Sequence, residues 1–228
     1  MNKPLLSVVI PIKNERERLP KLIAQLPQNS SIEYLMVDGG STDGSADYLK
    51  KQTTLNLIQT KAGRARQQNM GAAQAQADYL FFLHADSELS THGWQQLLEA
   101  VERQIPLACF RLAFDHPHFL FRIAAYGSRW SHLLFRGGDQ GLLLTQALFE
   151  SVGGFDEKYE VCEDLDLMQK LLSKEALTVL KETLQTSSRR FTEKGIVKTF
   201  SCFRLLHLMH YWGASPQTLY RFYHRWIS

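Results

Sequence analysis

The chain has 228 residues, 44% of them hydrophobic and 21% charged, which suits one globular domain with a sizeable core. Its net charge of +3 excludes a strongly electrostatic nucleic-acid binder. Cys109, Cys162 and Cys202 are scattered and odd in number, so neither a disulfide framework nor a zinc site is indicated.

The first half alternates strands and helices. Leu6–Ile12 is a short apolar strand, followed by a helix over Glu17–Leu26 with apolar residues at helical spacing. A strand at Tyr34–Val37 stops at Asp38-Gly39-Gly40. A helix at Ser45–Lys51, a strand at Leu55–Thr60 and a helix at Arg64–Gln76 follow, and Tyr79–Leu83 is the most apolar strand. Strands apolar on both faces and separated by helices predict an α/β fold with a mostly parallel central sheet flanked by helices. The second half reads as a strand at Leu107–Phe114, an aromatic helical stretch at Phe119–Phe135 broken near Gly127, and a glycine-rich loop at Gly137–Gly141. A strand at Leu142–Thr145 and helices at Gln146–Val152 and Leu165–Ser173 follow. Ser215-Pro216 supplies an N-cap and a first-turn proline for a final helix.

Leu5–Ile12 is too short for a signal peptide, and no stretch approaches the roughly 20 apolar residues that span a bilayer. A reducing cytosol is the simplest location. From Arg189 to Arg225 bases outnumber acids among aromatics, the pattern of a helix that lies at a membrane surface, here the inner face. The competing reading packs those aromatics against the domain, with Phe119–Phe135 as partner.

Ligands of open parallel sheets bind beyond the carboxyl ends of the strands. Four polar clusters stand at such ends: Pro11–Glu15, Asp38–Gly44, Lys61–Arg66 and His84–Asp86. Asp38 is placed to accept hydrogen bonds from a ribose or base edge, with Gly39 and Gly40 allowing close backbone approach. Asp43, at a helix entrance, reads as a cap. Arg64, Arg66, Gln67, Gln68 and Asn69 bring donors to a helix start, suited to a phosphate-rich ligand. In His84-Ala85-Asp86, a carboxylate just past a buried strand can hold a hard cation against a diphosphate. Glu163-Asp164 opens a helix, where acids favour the dipole or serve as a base toward an attacking hydroxyl.

The series SVVIPIKNE, VDGGSTDGS, GRARQQNMGA, FLHAD, GGDQG and GGFDEKYEVCEDLDL resembles family-2 glycosyltransferases of the GT-A fold. More narrowly, it resembles a small bacterial branch with His-Ala-Asp where most relatives carry Asp-x-Asp. The likeness covers residues 6–175 and extends loosely to the tail. It implies a GT-A, Rossmann-like domain with a nucleotide-binding half (1–105), an acceptor half (106–190) and a C-terminal helical extension (191–228). It further implies an inverting transferase that takes a nucleotide-diphospho-sugar, uses Mg2+ or Mn2+, and serves an acceptor that is lipid-linked in many enzymes of this type. Carried over, Pro11, Asn14 and Glu15 line the nucleotide pocket, Asp38 binds base or ribose, and Asp86 holds the metal. Asp164 is the general base, while Gly138, Asp139 and Gln140 lie near sugar or acceptor. His84 departs from the pattern, and an imidazole is a softer ligand than a carboxylate. A nucleotidyltransferase lacks its glycine- and base-rich loop here, where Pro11-Ile12-Lys13-Asn14-Glu15 stands instead. A non-catalytic nucleotide-sugar-binding protein is opposed by the presence of both Asp86 and Asp164.

Overall fold

The computed structural model describes residues 3–227. Its first half runs β1 (Leu6–Ile12), α1 (Leu19–Gln25), β2 (Ile32–Asp38), α2 (Ser45–Leu49), β3 (Asn56–Gln59), α3 (Arg64–Gln74) and β4 (Tyr79–Phe82). These four strands are all parallel and lie in the order β3-β2-β1-β4. β1 is the central strand, and its side chains alternate between two cores. Leu6, Val8, Ile10 and Ile12 pack on one face against Leu19 and Leu22 of α1, while Val9 joins Ala65 and Ala72 of α3 on the other. The second contact is unusually close. A Cβ on Gly71 of α3 would lie 2.4 Å from Val9 Cγ1, so only glycine lets α3 sit directly on β1.

The chain continues through β5 (Ser87–Leu89), α4 (Thr91–Glu102), β6 (Leu107–Phe114), α5 (Phe119–Gly127), β7 (Leu142–Thr145), α6 (Gln146–Ser151), α7 (Glu163–Leu172) and β8 (Thr178–Thr186). Here the sheet becomes mixed. β7 is antiparallel to both β4 and β6, β8 runs parallel to β6, and β5 closes the edge antiparallel to β8. Among the described residues the sheet has eight strands, parallel from β3 to β4 and mixed beyond β4. α4 adds Trp94 and Leu97 to the first core, and α6 and α7 add Phe149, Leu167 and Leu171 to the second. The aromatic stretch breaks as expected: α5 ends at Gly127, and a 3-10 turn at Leu133–Phe135 follows.

Three helices end the chain: α8 (Arg189–Lys194), α9 (Ile196–Tyr211) and α10 (Pro216–Trp226). The expected division between residues 190 and 191 falls inside α8. A ladder of rings attaches these helices to the sheet. Phe114 stacks on Phe121 at 4.4 Å, Phe121 meets Phe191 at 5.1 Å, and Phe191 meets Phe203 at 5.6 Å. Leu206, Leu219 and Ile227 form a small core of their own between α9 and α10. Among the described residues no helix is long and apolar enough to cross a membrane.

Candidate active site

The sheet order reverses at β1, with β2 on one side and β4 on the other, and a crevice opens there at the carboxyl ends. It deepens into a cavity of about 560 Å³. Pro11 walls it at the end of β1, Lys13 and Glu15 just after β1, and His84, Ala85 and Asp86 after β4. The glycine-rich loop and the start of α7 form its far side, and α8, α9 and α10 close over it.

Gln67 holds the crevice in shape. Its buried amide donates to Ile12 O at 2.9 Å and to Val37 O at 2.7 Å, tying together the ends of β1 and β2. Of the donor cluster at the start of α3, only Arg64 and Gln67 line the cavity. Gln68 and Asn69 do not, which corrects the expectation drawn from the sequence. Gln68 is buried, its Oε1 without a partner. Asn69 gives its Nδ2 to Phe155 O at 2.9 Å and accepts from Phe155 N at 3.0 Å, tying α3 to the turn before α7.

The loops after β1 and β2 are laced to each other. Asn14 takes a left-handed backbone (φ +56°), donates its N–H to Ser41 Oγ and accepts from Thr42 N. The buried Asp38 carboxylate accepts from the amides of Gly40 and Ser41 at 3.2–3.3 Å. Asp38, Asn14 and Gly40 therefore shape the loop and stand outside the cavity wall, while Pro11 and Glu15 stand in it. Glu15 pairs with Arg18 at 2.6 Å. Asp43 accepts from Ser45 N and Arg16 N, but the N-cap of α2 is Gly44 with no side-chain cap bond, so Asp43 stands one residue before the cap and ties the β1 and β2 loops together instead of capping the helix.

Four carboxylates gather around Arg64. Its guanidinium lies 3.2 Å from Glu163, whose side chain is only 2% exposed while that of Arg64 is 45% exposed. Burial pulls the Arg64 guanidinium down, but Glu163, Asp164, Asp139 and Asp86 together outweigh it and hold the guanidinium above its ordinary value. Burial pushes Glu163 up, opposed by Arg64 and reinforced by Asp164. For Asp139, burial pushes up as well, but the hydrogen bond and charge of His84, then Arg64 and Arg190, hold its carboxyl below the usual range. His84 Nδ1 and Asp139 Oδ1 are 3.2 Å apart.

Asp164 accepts a hydrogen bond from the Gly138 amide. A Cβ at Gly138 would stand 2.8 Å from His84 Cε1 and 3.0 Å from Asp164 Oδ2. The absence of a side chain there is what lets His84 and Asp164 approach one loop from opposite sides. Gln140, also in that loop, is buried and donates to Phe135 O at 2.6 Å, so its amide supports the wall it belongs to.

Three contributors were not singled out from the sequence. Arg136 is fully buried in the cavity wall, donating to Ser128 O at 2.6 Å and to Cys109 Sγ at 2.7 Å. Arg190 and His207 project from α8 and α9. His207 Nδ1 is buried with no partner, and burial, outweighing Asp164 and Asp139, pulls its imidazole down to about 4. No local pattern marks such residues: Arg136 lies in the loop before Gly137, and the helices that carry Arg190 and His207 read only as amphipathic.

Among the described residues no cluster of three or more His, Cys, Asp or Glu side chains forms a ready metal cage. His84 Nδ1 is engaged with Asp139, whereas among the described residues no hydrogen bond to the Asp86 carboxylate is found. One such carboxylate fits a magnesium-like cation that takes its remaining ligands from substrate phosphates and water.

The family model described as glycosyl transferase family 2 matches residues 7–153. A 4,4'-diaponeurosporenoate glycosyltransferase of Staphylococcus haemolyticus is 32% identical over 108 residues, 43% of this chain and 29% of that protein. An uncharacterized glycosyltransferase of Haemophilus influenzae is 34% identical over 106 residues, 43% of this chain and 42% of that one. The chain thus spans well under half the length of these relatives. Among solved structures, S. aureus TarS 1–349 in complex with UDP-GlcNAc superposes with a TM-score of 0.63 at 17% identity, covering 80% of this chain and 58% of TarS. The mannosyltransferase PcManGT from Pyrobaculum calidifontis, in complex with GDP-Man and Mn2+, gives 0.66 at 16%, covering 91% and 63%. At such identity the likeness is one of fold.

Proposed function

Because the chain belongs to glycosyl transferase family 2, we propose that it moves a sugar from a nucleotide-diphospho-sugar to an acceptor hydroxyl in a single inverting displacement. The observation that carries the reading is one cavity with Asp86 at the β4 end and Asp164 at the glycine-rich loop. The donor class is supported by the nucleotide sugars bound in the structural neighbours.

Asp164 is the general base. Its neighbour Glu163 is buried and engaged with the Arg64 guanidinium, so its carboxylate is not presented to a substrate hydroxyl as that of Asp164 is. The Gly138 amide orients Asp164, whose carboxylate takes the proton of the acceptor hydroxyl as that oxygen attacks the anomeric carbon. The nucleoside diphosphate leaves toward Arg64, whose charge faces the departing group. Asp86 would hold Mg2+ or Mn2+, which when bound would supply positive charge against the diphosphate. His84 positions Asp139 beside this site. The tail helices supply the wall on the acceptor side.

The test is release of nucleoside diphosphate from uridine-, guanosine- and thymidine-diphospho-sugars, with donor affinity measured by calorimetry. Asp164→Asn is expected to slow release roughly a hundred- to ten-thousand-fold with donor affinity unchanged. Wild-type turnover in that variant refutes the base assignment, and absence of binding to every donor refutes the transferase reading.

A further inference from the structure

Exposed apolar side chains are concentrated on two helices. Among the described residues twelve large hydrophobics are exposed, and ten of them lie between Phe119 and Trp130 or between Val197 and Trp226. On α5 and just past it they are Phe119, Ile123, Tyr126 and Trp130, the first three one stripe at helical spacing. On α9 and just past it Leu205, Leu208, Tyr211 and Trp212 form another, with Trp212 73% exposed. The inner sides of the same helices carry Phe121, Leu206 and Phe203 into the ring ladder and the small core, so each helix is apolar on two faces. Phe135 joins the stripes: Trp130 lies 5.7 Å away on one side and the Arg204 guanidinium 5.9 Å away on the other.

Charge follows the same outline. Residues 116–138 and 194–228 contain no Asp or Glu, yet hold three arginines and five lysines or arginines respectively. The rest of the chain therefore has more acids than bases. Arg122, Arg129, Lys198, Arg221 and Arg225 are all exposed. Two of them cover surface rings, Arg129 over Tyr126 at 5.0 Å and Arg225 over Trp226 at 5.5 Å.

We propose that the outer faces of α5, α9 and the end of α10 form a peripheral docking surface for an anionic lipid bilayer. Large aromatics with basic neighbours suit the headgroup region, where tryptophan and tyrosine rings keep one side wet and bury the other. α9, at 16 residues, is too short to span a bilayer and lies on it instead. A second copy of this chain is the poorer occupant, because it would set one acid-free basic face against another. The inner sides of these helices line the cavity through Ala124, Phe200 and His207, so docking sets the cavity beside the lipid surface. The surface goes beyond the transferase reading and does not depend on it.

Co-sedimentation tests it, using vesicles of phosphatidylcholine alone and with roughly one-third phosphatidylglycerol. Three of the four tryptophans, Trp130, Trp212 and Trp226, are exposed, so emission provides a second readout. The chain is expected to bind the anionic vesicles, to shift its emission to the blue, and to be released when salt rises from about 0.1 M to about 1 M. Trp130→Ser with Trp212→Ser, and separately Arg129→Glu with Arg225→Glu, each lower binding by at least about tenfold. Trp212→Phe retains binding, and all variants release nucleoside diphosphate from donor as wild type does. Equal binding to neutral vesicles, no binding to either kind, or binding untouched in both double variants overturns the proposal. So does a dimer in sedimentation velocity that Trp212→Ser dissolves. A chain that turns over donor and ignores vesicles overturns the docking surface alone, whereas vesicle binding without turnover overturns only the transferase reading.

Discussion

Replacing Arg64 with Met leaves the Glu163 carboxylate, 2% exposed, facing the place of a guanidinium that stood 3.2 Å away. Breaking one side of a fully buried ion pair costs about 3–5 kcal/mol. Arg64 is 45% exposed, so water already screens the pair and about 1–3 kcal/mol is the reasonable range. In a chain of this size that corresponds to a melting temperature lower by about 3–9 °C near pH 8. The pH dependence carries a definite sign. Burial already raises Glu163, Arg64 opposes it, and the variant raises it further. A carboxyl that binds its proton more tightly when folded contributes stability below the unfolded value, and that contribution is lost as pH rises through the folded one. The deficit of Arg64→Met therefore grows from pH 5 to pH 8, and Glu163→Gln added to it restores most of the loss. Scanning calorimetry over that range is the assay. A variant melting within about 1 °C of wild type at pH 8, or an equal loss in the Glu163→Gln background, refutes the reasoning.

Asp86→Ala is expected to abolish stimulation of donor turnover by Mn2+ and to weaken donor binding, while His84→Ala does less; equal wild-type turnover with Mn2+ and with excess chelator refutes the cation assignment. Gly71→Ala, which drives a methyl to 2.4 Å from Val9 Cγ1, lowers stability by about 1–3 kcal/mol, seen as a lower urea midpoint at unchanged slope. His207, pulled down to about 4 by burial, binds protons more weakly folded than unfolded, so stability present above its unfolded value is lost as pH falls toward 4. The urea midpoint accordingly drops less between pH 7 and pH 5 in His207→Gln than in wild type, and equal drops refute the assignment.

Strands buried on both faces were the most legible elements. Leu6–Ile12, Leu107–Phe114 and Leu142–Thr145 have the bounds expected of them, with a polar residue directly after each strand. The last helix was legible through its cap, Ser215 Oγ accepting from Thr218 N at 3.3 Å. α4 was not read, although Ser90 caps it and Trp94, Leu97 and Val101 fall at helical spacing. β8 has a physical reason to escape notice. Its burial is interrupted at Lys181, Glu182 and Gln185, and it is held by pairing with β6 and β5, far away in sequence. In the site, polar residues at the start of α3 were legible as a group but not by face. Gly71 is the clue that separates them: Gln67 lies four residues before it, on the side that meets β1 and β2, whereas Asn69 points toward Phe155.

Histidine at position 84 becomes intelligible once Asp139 is placed. A carboxylate at 84 would oppose the Asp139 carboxylate at about hydrogen-bond distance, and two like charges that close raise each other's affinity for a proton. An imidazole there bonds Asp139 instead, 3.2 Å away, and helps hold it ionised against its burial. Arg64 and Arg190 support the same charge from α3 and α8. The cavity thus receives one acid, Asp86, just past β4 and another, Asp139, from the glycine-rich loop of the second half. Gly138 makes the arrangement possible, since any side chain at that point would occupy the space between His84 and Asp164. His84 and Asp164 thus meet a single loop, and the position of Asp139 depends on His84 as directly as that of Asp164 depends on the Gly138 amide.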